Sequence, residues 1–302
     1  MNRFPDRARV CFVGDSITAS NEYVAHIAGY YRDNFPSAGV EFYNCGISGA
    51  TLKTLISVFS EDVAHFHPTH VVLMCGINDA HRHFLIRPAP DRYDRMTEAF
   101  ELYKSRLDIF LGLVKEIAAE PILCTPMPYD EYLDSDVKVL RGSYAAMLGY
   151  ADYIRSVANE RGYALCDYHA YASREITIST EPLFKPDRVH PTLFGHYHMA
   201  KCFLQSQGFA IGDDTRLPDS ILPWHDLTCK LRSTITTENF ILKGDFSKSD
   251  EERLSVILDF IDNPWEDSNR DLFLSLAREY PENKRNQAHN IAAVKAFMKG
   301  NS

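Results

Sequence analysis

The stretch "ARVCFVGDSIT" (residues 8–18) joins an apolar run to a Gly-Asp-Ser turn and then to a segment with helical character. A short apolar run of this kind, rich in Val, Phe and Cys, is typical of a strand that is buried on both faces of a sheet. Four more runs of the same character follow: "VEFYNCG" (40–46), "HVVLMCG" (70–76), "PILCTP" (121–126) and "YALCDY" (163–168).

The segments between these runs have the period of amphipathic helices. One apolar stripe extends from Leu52 to Phe66 and another from Met96 to Ile117, while Ser143 has the character of an N-cap for a third helix that ends before Gly162. Alternating strands and helices predict a parallel five-stranded sheet covered by helices on both faces. In such sheets ligands bind outside the carboxyl ends of the strands, where Ser16 lies.

The alternation stops near residue 210. We therefore predict a catalytic α/β domain over residues 1–210 and a small, mostly helical C-terminal extension over residues 211–302. In the extension, Ser249 and Glu252 have the spacing of a capping box. No motif there indicates a chemical role.

Composition excludes several classes of partner. The net charge of −9 argues against a nucleic-acid or anionic-membrane partner, and no apolar stretch reaches the roughly 18 residues that span a bilayer. The first residues lack the apolar region of a secretory signal. Five of the seven cysteines lie in strand-like runs and none forms a Cys-x-x-Cys pair, so we expect reduced core cysteines and a cytoplasmic protein.

Polar segments follow the strand-like runs or precede helices. They are "GDSIT" (14–18), "NCGISGAT" (44–51), "CGIND" (75–79) and "PDRVHPT" (186–192). A serine nucleophile needs a base within hydrogen-bond reach and an acid that fixes the tautomer of that base, and Ser16, His190 and Asp187 are candidates for the three roles. Oxyanion donors would be the N–H of Ser16, a glycine N–H from residues 44–51 and the carboxamide of Asn78.

Each of these segments alone is a common turn or helix cap. Their combination, in this order, resembles the sequence blocks of the SGNH hydrolases, the GDSL-type esterase and lipase superfamily. The resemblance covers about residues 8–208. It implies a three-layer α/β/α flavodoxin-like fold and hydrolysis of esters by Ser, His and Asp without a metal or other cofactor.

The resemblance also assigns roles by position. Ser16 matches the nucleophile that donates an oxyanion N–H, Gly49 the oxyanion glycine and Asn78 the oxyanion asparagine, while Asp187 and His190 match the Asp-x-x-His pair. Gly46 is the alternative to Gly49, and we favour Gly49 because Gly46 is better placed to end a strand. The sequence departs from the family pattern at Ile17, where leucine is usual, and at Ala50, where many relatives carry a polar residue.

Other residues are candidates for the substrate pocket. Asp15 adjoins the nucleophile, and Tyr129 and Tyr132 follow the fourth strand, where pocket-lining and ordinary loop positions are equally expected. His81 and His83 lack the carboxylate spacing of a metal site and are expected in a loop. His196 and His198 are expected to be packing or surface residues.

The resulting hypothesis is a serine esterase that hydrolyses carboxylic esters of a small molecule, with short acyl groups such as O-acetyl on a carbohydrate favoured. A non-catalytic carbohydrate- or partner-binding module on the same fold is one alternative. A metal-dependent phosphoesterase is another, although "GIND" lacks the histidine of such a loop. A homo-oligomer is compatible with the sequence.

Overall fold

The computed structural model describes residues 1–80, 85, 90–212 and 215–217. Its centre is a five-stranded sheet in which all neighbouring strands are parallel and the order is β2-β1-β3-β4-β5. This is the flavodoxin-like order that the resemblance implies. The strands are β1 Arg9–Gly14, β2 Glu41–Gly46, β3 His70–Met74, β4 Glu120–Cys124 and β5 Ala164–Cys166.

The central strand β1 shows why the apolar runs form this sheet. Five of its six residues are buried, because helices cover both faces. The Phe12 ring contacts the rings of Tyr23 and Phe203 on one face. The adjacent Cys11 has its Sγ 3.9 Å from the carbonyl oxygen of Val63 on the other face. Successive side chains therefore enter opposite layers, as the pleat requires.

Helices form the two outer layers. Helices α2 and α8 pack together on one face, and α3 packs on α5 on the other. The helices are α1 Ser16–Ala19, α2 Glu22–Asn34, α3 Leu52–Ser57, α4 Phe59–Asp62, α5 Arg92–Glu116, α6 Ser143–Arg161, α7 Tyr168–Ile178 and α8 Leu193–Ser206. Short 3₁₀ turns occupy Pro36–Ala38 and Ala64–Phe66.

Two helix predictions need correction. The stripe from Leu52 to Phe66 is not one helix: the chain leaves helical geometry at Val58 (φ −114°, ψ 8°) and at Val63 (φ −123°, ψ −59°). Ser143 is the first helical residue and not the cap. Gly142, with φ +95°, precedes it, and the Glu131 carboxylate accepts hydrogen bonds from the N–H groups of Gly142 and Tyr144.

Predictions about the C-terminal extension, the cysteines and membrane-spanning helices can be compared with the structure only over the described residues. The predicted extension over 211–302 lies outside the described residues except for 211–212 and 215–217. Six cysteines fall within the described part of the chain, and all six are buried. No helix in the described ranges is long and apolar enough to cross a bilayer.

Candidate active site

Ser16 is placed by a tight turn at the carboxyl end of β1. Asp15 has extended backbone angles and caps α1, because its side chain accepts a hydrogen bond of 3.0 Å from the Ile17 N–H. Ser16 is the first residue of α1, so its own N–H has no acceptor within the helix. The Asp15 side chain is only 2% exposed. Asp15 therefore holds the turn and does not line a pocket, in contrast to the prediction from sequence.

Helix α1 lies directly on the end of β2. A Cβ at Gly46 would be 2.5 Å from the Ala19 nitrogen, so only glycine fits there. Asn44 stabilises this contact between α1 and β2. Its Nδ2 donates to the Thr18 carbonyl at 2.6 Å, and its Oδ1 accepts from the Gly46 N–H at 2.9 Å. The backbone that carries Ser16 is therefore fixed against two strands.

His190 reaches Ser16 from the turn formed by residues 186–190. The His190 Nε2 is 2.8 Å from the Ser16 Oγ, although the residues are 174 positions apart in the chain. The His190 Nδ1 is 2.6 Å from the Asp187 Oδ2. The Asp187 Oδ1 also accepts from the N–H groups of Val189 and His190, both at 2.9 Å. The serine, histidine and aspartate proposed from sequence thus form one continuous hydrogen-bonded chain.

The hydrogen bonds between Asp187 and its neighbours keep the Asp187 carboxylate ionised. Partial burial opposes its charge, but the hydrogen bonds from the His190 ring and from two backbone N–H groups outweigh burial and lower the Asp187 pKa to about 2. A carboxylate at Nδ1 holds the imidazole proton there, and so leaves Nε2 free to accept the hydroxyl proton of Ser16.

Two further loops reach the same edge of the sheet. Gly49 lies in the left-handed region (φ +72°), and none of the described residues accepts a hydrogen bond from its N–H. The Gly46 N–H is already bonded to Asn44, which favours Gly49 as the free donor. The Asn78 Nδ2 donates to the Ala50 carbonyl at 3.0 Å, and its second N–H remains for a ligand.

Asp79 connects these two loops. Its carboxylate accepts from the Leu52 N–H at 3.0 Å, at the start of α3, and its side chain is 2% exposed. Burial raises the Asp79 pKa, although hydrogen bonds from Cys75 and Leu52 oppose the rise. The segment that carries Gly49 is thereby attached to the segment that carries Asn78.

The remaining sequence candidates separate into exposed and buried groups. Tyr132 is 86% exposed, whereas Tyr129 is 1% exposed and its hydroxyl accepts from the Leu140 N–H, a structural position and not a pocket-lining one. His196 is buried, and burial lowers its pKa to about 4, so it packs as a neutral ring beside Tyr23. His198 packs against the Phe194 ring. His81 and His83 lie outside the described residues.

Sequence reasoning overlooked Arg188, which lies inside the Asp-x-x-His motif. It is 2% exposed, although Asp187, directly before it in the 186–190 turn, is exposed. Its backbone is left-handed (φ +67°), which costs a non-glycine residue about 1–2 kcal/mol. Its guanidinium donates five hydrogen bonds to backbone carbonyls, each worth about 1.5–3 kcal/mol for a charged donor, and these offset the strain and the burial.

Away from Ser16, a cavity or a metal-binding cluster of side chains could hold a ligand. A cavity of about 580 Å³ opens at the amino edge of the sheet, opposite Ser16, between the ends of β1, β3 and β4. Within the described ranges, no cluster of three or more His, Cys, Asp or Glu side chains has the arrangement of a metal site.

Comparison with known proteins identifies the chain. A family model described as the GDSL-like Lipase/Acylhydrolase family matches residues 12–197, a span that includes Ser16, Gly49, Asn78, Asp187 and His190. The chain belongs to this family. It is therefore a carboxylic ester hydrolase of the SGNH type, and the resemblance noted in the sequence is confirmed.

Individual relatives agree with the assignment to the GDSL-like family. The chain is 27% identical over 216 residues to an acetylxylan esterase from Geobacillus stearothermophilus, covering 67% of this chain and 94% of that protein. The crystal structure of a catalytic mutant of that esterase superposes with a TM-score of 0.58 at 25% identity, covering 68% of this chain and 96% of the other. A gut microbial diltiazem-metabolizing enzyme superposes with a TM-score of 0.75 over 99% of this chain and 97% of the other; at 15% identity it shows the fold alone.

Proposed function

We propose that this chain is a serine esterase that removes short acyl groups, O-acetyl above all, from a carbohydrate through an acyl-enzyme on Ser16. The observation that carries the proposal is the continuous hydrogen-bonded chain from the Ser16 Oγ through His190 to Asp187, with distances of 2.8 and 2.6 Å. The similarity to an acetylxylan esterase supports the choice of an acetylated carbohydrate.

The first half of the reaction transfers the acyl group to the enzyme. His190 Nε2 takes the hydroxyl proton as the Ser16 Oγ attacks the carbonyl carbon of the ester. The oxyanion forms within reach of the Ser16 N–H, the Gly49 N–H and the Asn78 carboxamide. The intermediate collapses when the C–O bond to the alcohol breaks, and His190 gives its proton to the leaving alkoxide.

The second half returns the enzyme to its starting state. Water loses a proton to His190 Nε2 and attacks the acyl carbon, so that the bond to the Ser16 Oγ breaks. The Ser16 Oγ recovers the proton, and the carboxylate product leaves. Throughout the cycle Asp187 remains ionised and stabilises the imidazolium, consistent with its pKa of about 2.

The exposure of the site supports a bulky alcohol with a small acyl group. The side chains of His190 and Asp187 are 40% and 45% exposed, so the alcohol side of the ester faces solvent and has room for a saccharide. Ser16 itself is half-buried at the start of α1, between the ends of β1 and β2. From this partial burial of Ser16 we infer a short acyl group.

Acetate release from an acetylated xylooligosaccharide tests this proposal, with a p-nitrophenyl ester series from acetate to octanoate measured in parallel. We expect turnover on the saccharide, a decline in kcat/KM as the acyl chain lengthens, and loss of both activities in Ser16→Ala. Ser105→Ala is the matched control, because among the described residues its Oγ hydrogen-bonds only to the Leu102 carbonyl of its own helix α5.

The outcomes separate the alternatives. Retained turnover in Ser16→Ala contradicts the serine mechanism. Binding of the saccharide by the wild type without release of acetate indicates the non-catalytic binding module instead. Activity that falls with a chelator and is restored by a divalent ion contradicts the metal-free serine mechanism and favours the metal-dependent phosphoesterase.

A further inference from the structure

The loop of residues 130–137, which follows β4, lies against the turn that carries Asp187 and His190. The Asp130 N–H donates to the Arg188 carbonyl at 3.2 Å. The Ser135 Oγ donates to the Pro186 carbonyl at 2.8 Å. The 130–137 loop therefore packs directly on the 186–190 turn that carries His190, and the positions of the two segments are linked.

Arg188 is the side chain that makes this link rigid. Its Nη1 donates to the carbonyls of Asp130 and Leu133, its Nη2 to those of Ser135 and Val137, and its Nε to that of Val137. Four carbonyls of one loop thus converge on a single buried guanidinium. No carboxylate within the described part of the chain pairs with it. A planar fork with five donors suits this arrangement, and a lysine ammonium does not.

The Asp130 side chain also stabilises the conformation of the 130–137 loop. The Asp130 Oδ1 accepts from the N–H groups of Tyr132 and Leu133, both at 3.0 Å, which turns the chain sharply at this point. The turn leaves the Tyr132 side chain 86% exposed while Asp130 itself is 6% exposed. A large aromatic ring is thereby held out from a rigid loop and makes almost no contact with the fold.

We propose that the 130–137 loop is the wall that recognises the sugar, that Tyr132 is its platform for a pyranose ring, and that Arg188 is the positioning residue that fixes this wall beside His190. The inference rests on the proposed function, because it specifies how the alcohol part of the ester is bound. A tyrosine combines an apolar face, which fits the C–H face of a sugar, with a hydroxyl that can bond to sugar hydroxyl groups. Val137 is a second exposed apolar side chain on this loop, 44% exposed.

The test compares two esters that share an acetyl group and differ in the alcohol: an acetylated xylooligosaccharide and p-nitrophenyl acetate. For Tyr132→Ala we expect the ratio of kcat/KM for the saccharide to that for p-nitrophenyl acetate to fall about tenfold, with the loss in KM. Tyr132→Trp should restore most of the ratio. Ile178→Ala truncates another exposed apolar side chain, 64% exposed at the end of α7, and should leave the ratio unchanged.

Variants of Arg188 and of Ser135 test whether Arg188 positions the 130–137 loop. Arg188→Gly keeps the left-handed backbone without strain but removes the fork, and should lower the same ratio about as much as Tyr132→Ala. Arg188→Lys should not rescue it. Ser135→Ala removes the bond to the Pro186 carbonyl and the bond that its Oγ accepts from the Val137 N–H, but keeps the guanidinium fork. It should give a milder loss in a protein whose Tm stays near that of the wild type.

Equal losses on the two esters, or no loss on either, overturn the sugar wall and leave the serine mechanism standing. Wild-type protein that hydrolyses p-nitrophenyl acetate but no acetylated saccharide overturns both the wall and the carbohydrate substrate. Retained activity in Ser16→Ala overturns the proposed mechanism, independently of the wall.

Discussion

Replacing Asp187 by asparagine tests the tautomer argument with little change in shape. The aspartate accepts two backbone N–H groups on Oδ1 and the His190 Nδ1 on Oδ2. In Asp187→Asn the carbonyl oxygen can still accept both backbone bonds, so the 186–190 turn should survive. The amide NH₂, however, then faces Nδ1 and requires it to be an acceptor.

This change of the His190 tautomer prevents activation of Ser16. With Nδ1 unprotonated, the single imidazole proton lies on Nε2, which is 2.8 Å from the Ser16 Oγ. A protonated Nε2 cannot take the hydroxyl proton, and the imidazolium loses its stabilising carboxylate. The loss of tautomer control in a serine triad lowers kcat by about 10⁴, or about 5.5 kcal/mol of transition-state stabilisation.

The assay is kcat and kcat/KM for p-nitrophenyl acetate, with Tm measured on the same samples. Asp6→Asn is the control for loss of one negative charge, because the Asp6 side chain is 67% exposed and, within the described part of the chain, forms an ion pair only with Arg3. A kcat within threefold of the wild type, in a variant with unchanged Tm, would refute the role given to Asp187.

Three further predictions concern the rest of the site. Asn78→Ala should lower kcat by about 10²–10³ while KM changes little, measured with p-nitrophenyl acetate; an unchanged kcat would make Asn78 a purely structural anchor of the Ala50 loop. The Asp187 pKa is about 2 in the folded chain against about 3.9 unfolded, so its contribution to the free energy of unfolding should disappear only as pH falls from about 4 towards 2. Denaturant titrations of the wild type and of Asp187→Asn across this range measure the contribution; its loss already well above about pH 4 would contradict the lowered pKa. Gly46→Ala should destabilise the fold by about 1–3 kcal/mol in a denaturant titration, since its Cβ would meet the Ala19 nitrogen at 2.5 Å. Gly112→Ala, in α5, is the control, because a Cβ there meets no atom within 4 Å; equal losses in the two variants would refute the close contact.

The sheet was predictable because its strands are short and buried on both faces. Such strands carry continuous apolar runs, four of which end at glycine or proline here. Each of the five predicted runs overlaps an observed strand, as "ARVCFVG" overlaps Arg9–Gly14. The convergence of Ser16 and His190 followed from the same logic, because the carboxyl ends of parallel strands share one edge. The local pattern of apolar runs thus predicted that Ser16 and His190, far apart in sequence, lie close together.

Features set by distant partners were not predictable. Glu131 caps α6 from another loop, so the polar residue at Ser143 was mistaken for the cap. Tyr129 sits in a loop sequence but is buried, because the chain folds back and offers it the Leu140 N–H. Arg188 looks like an ordinary exposed cation in sequence, and only its contacts with carbonyls more than 50 residues away make it a buried anchor.

Labelling with diethyl p-nitrophenyl phosphate tests most directly whether Ser16 is the nucleophile. The reagent phosphorylates an activated serine and leaves a stable adduct that peptide mapping by mass spectrometry can locate. The account predicts one diethylphosphoryl group per chain, on Ser16, with esterase activity lost in proportion, and no label in Ser16→Ala or in His190→Ala. Label on a different residue, or full activity with Ser16 labelled, would contradict it.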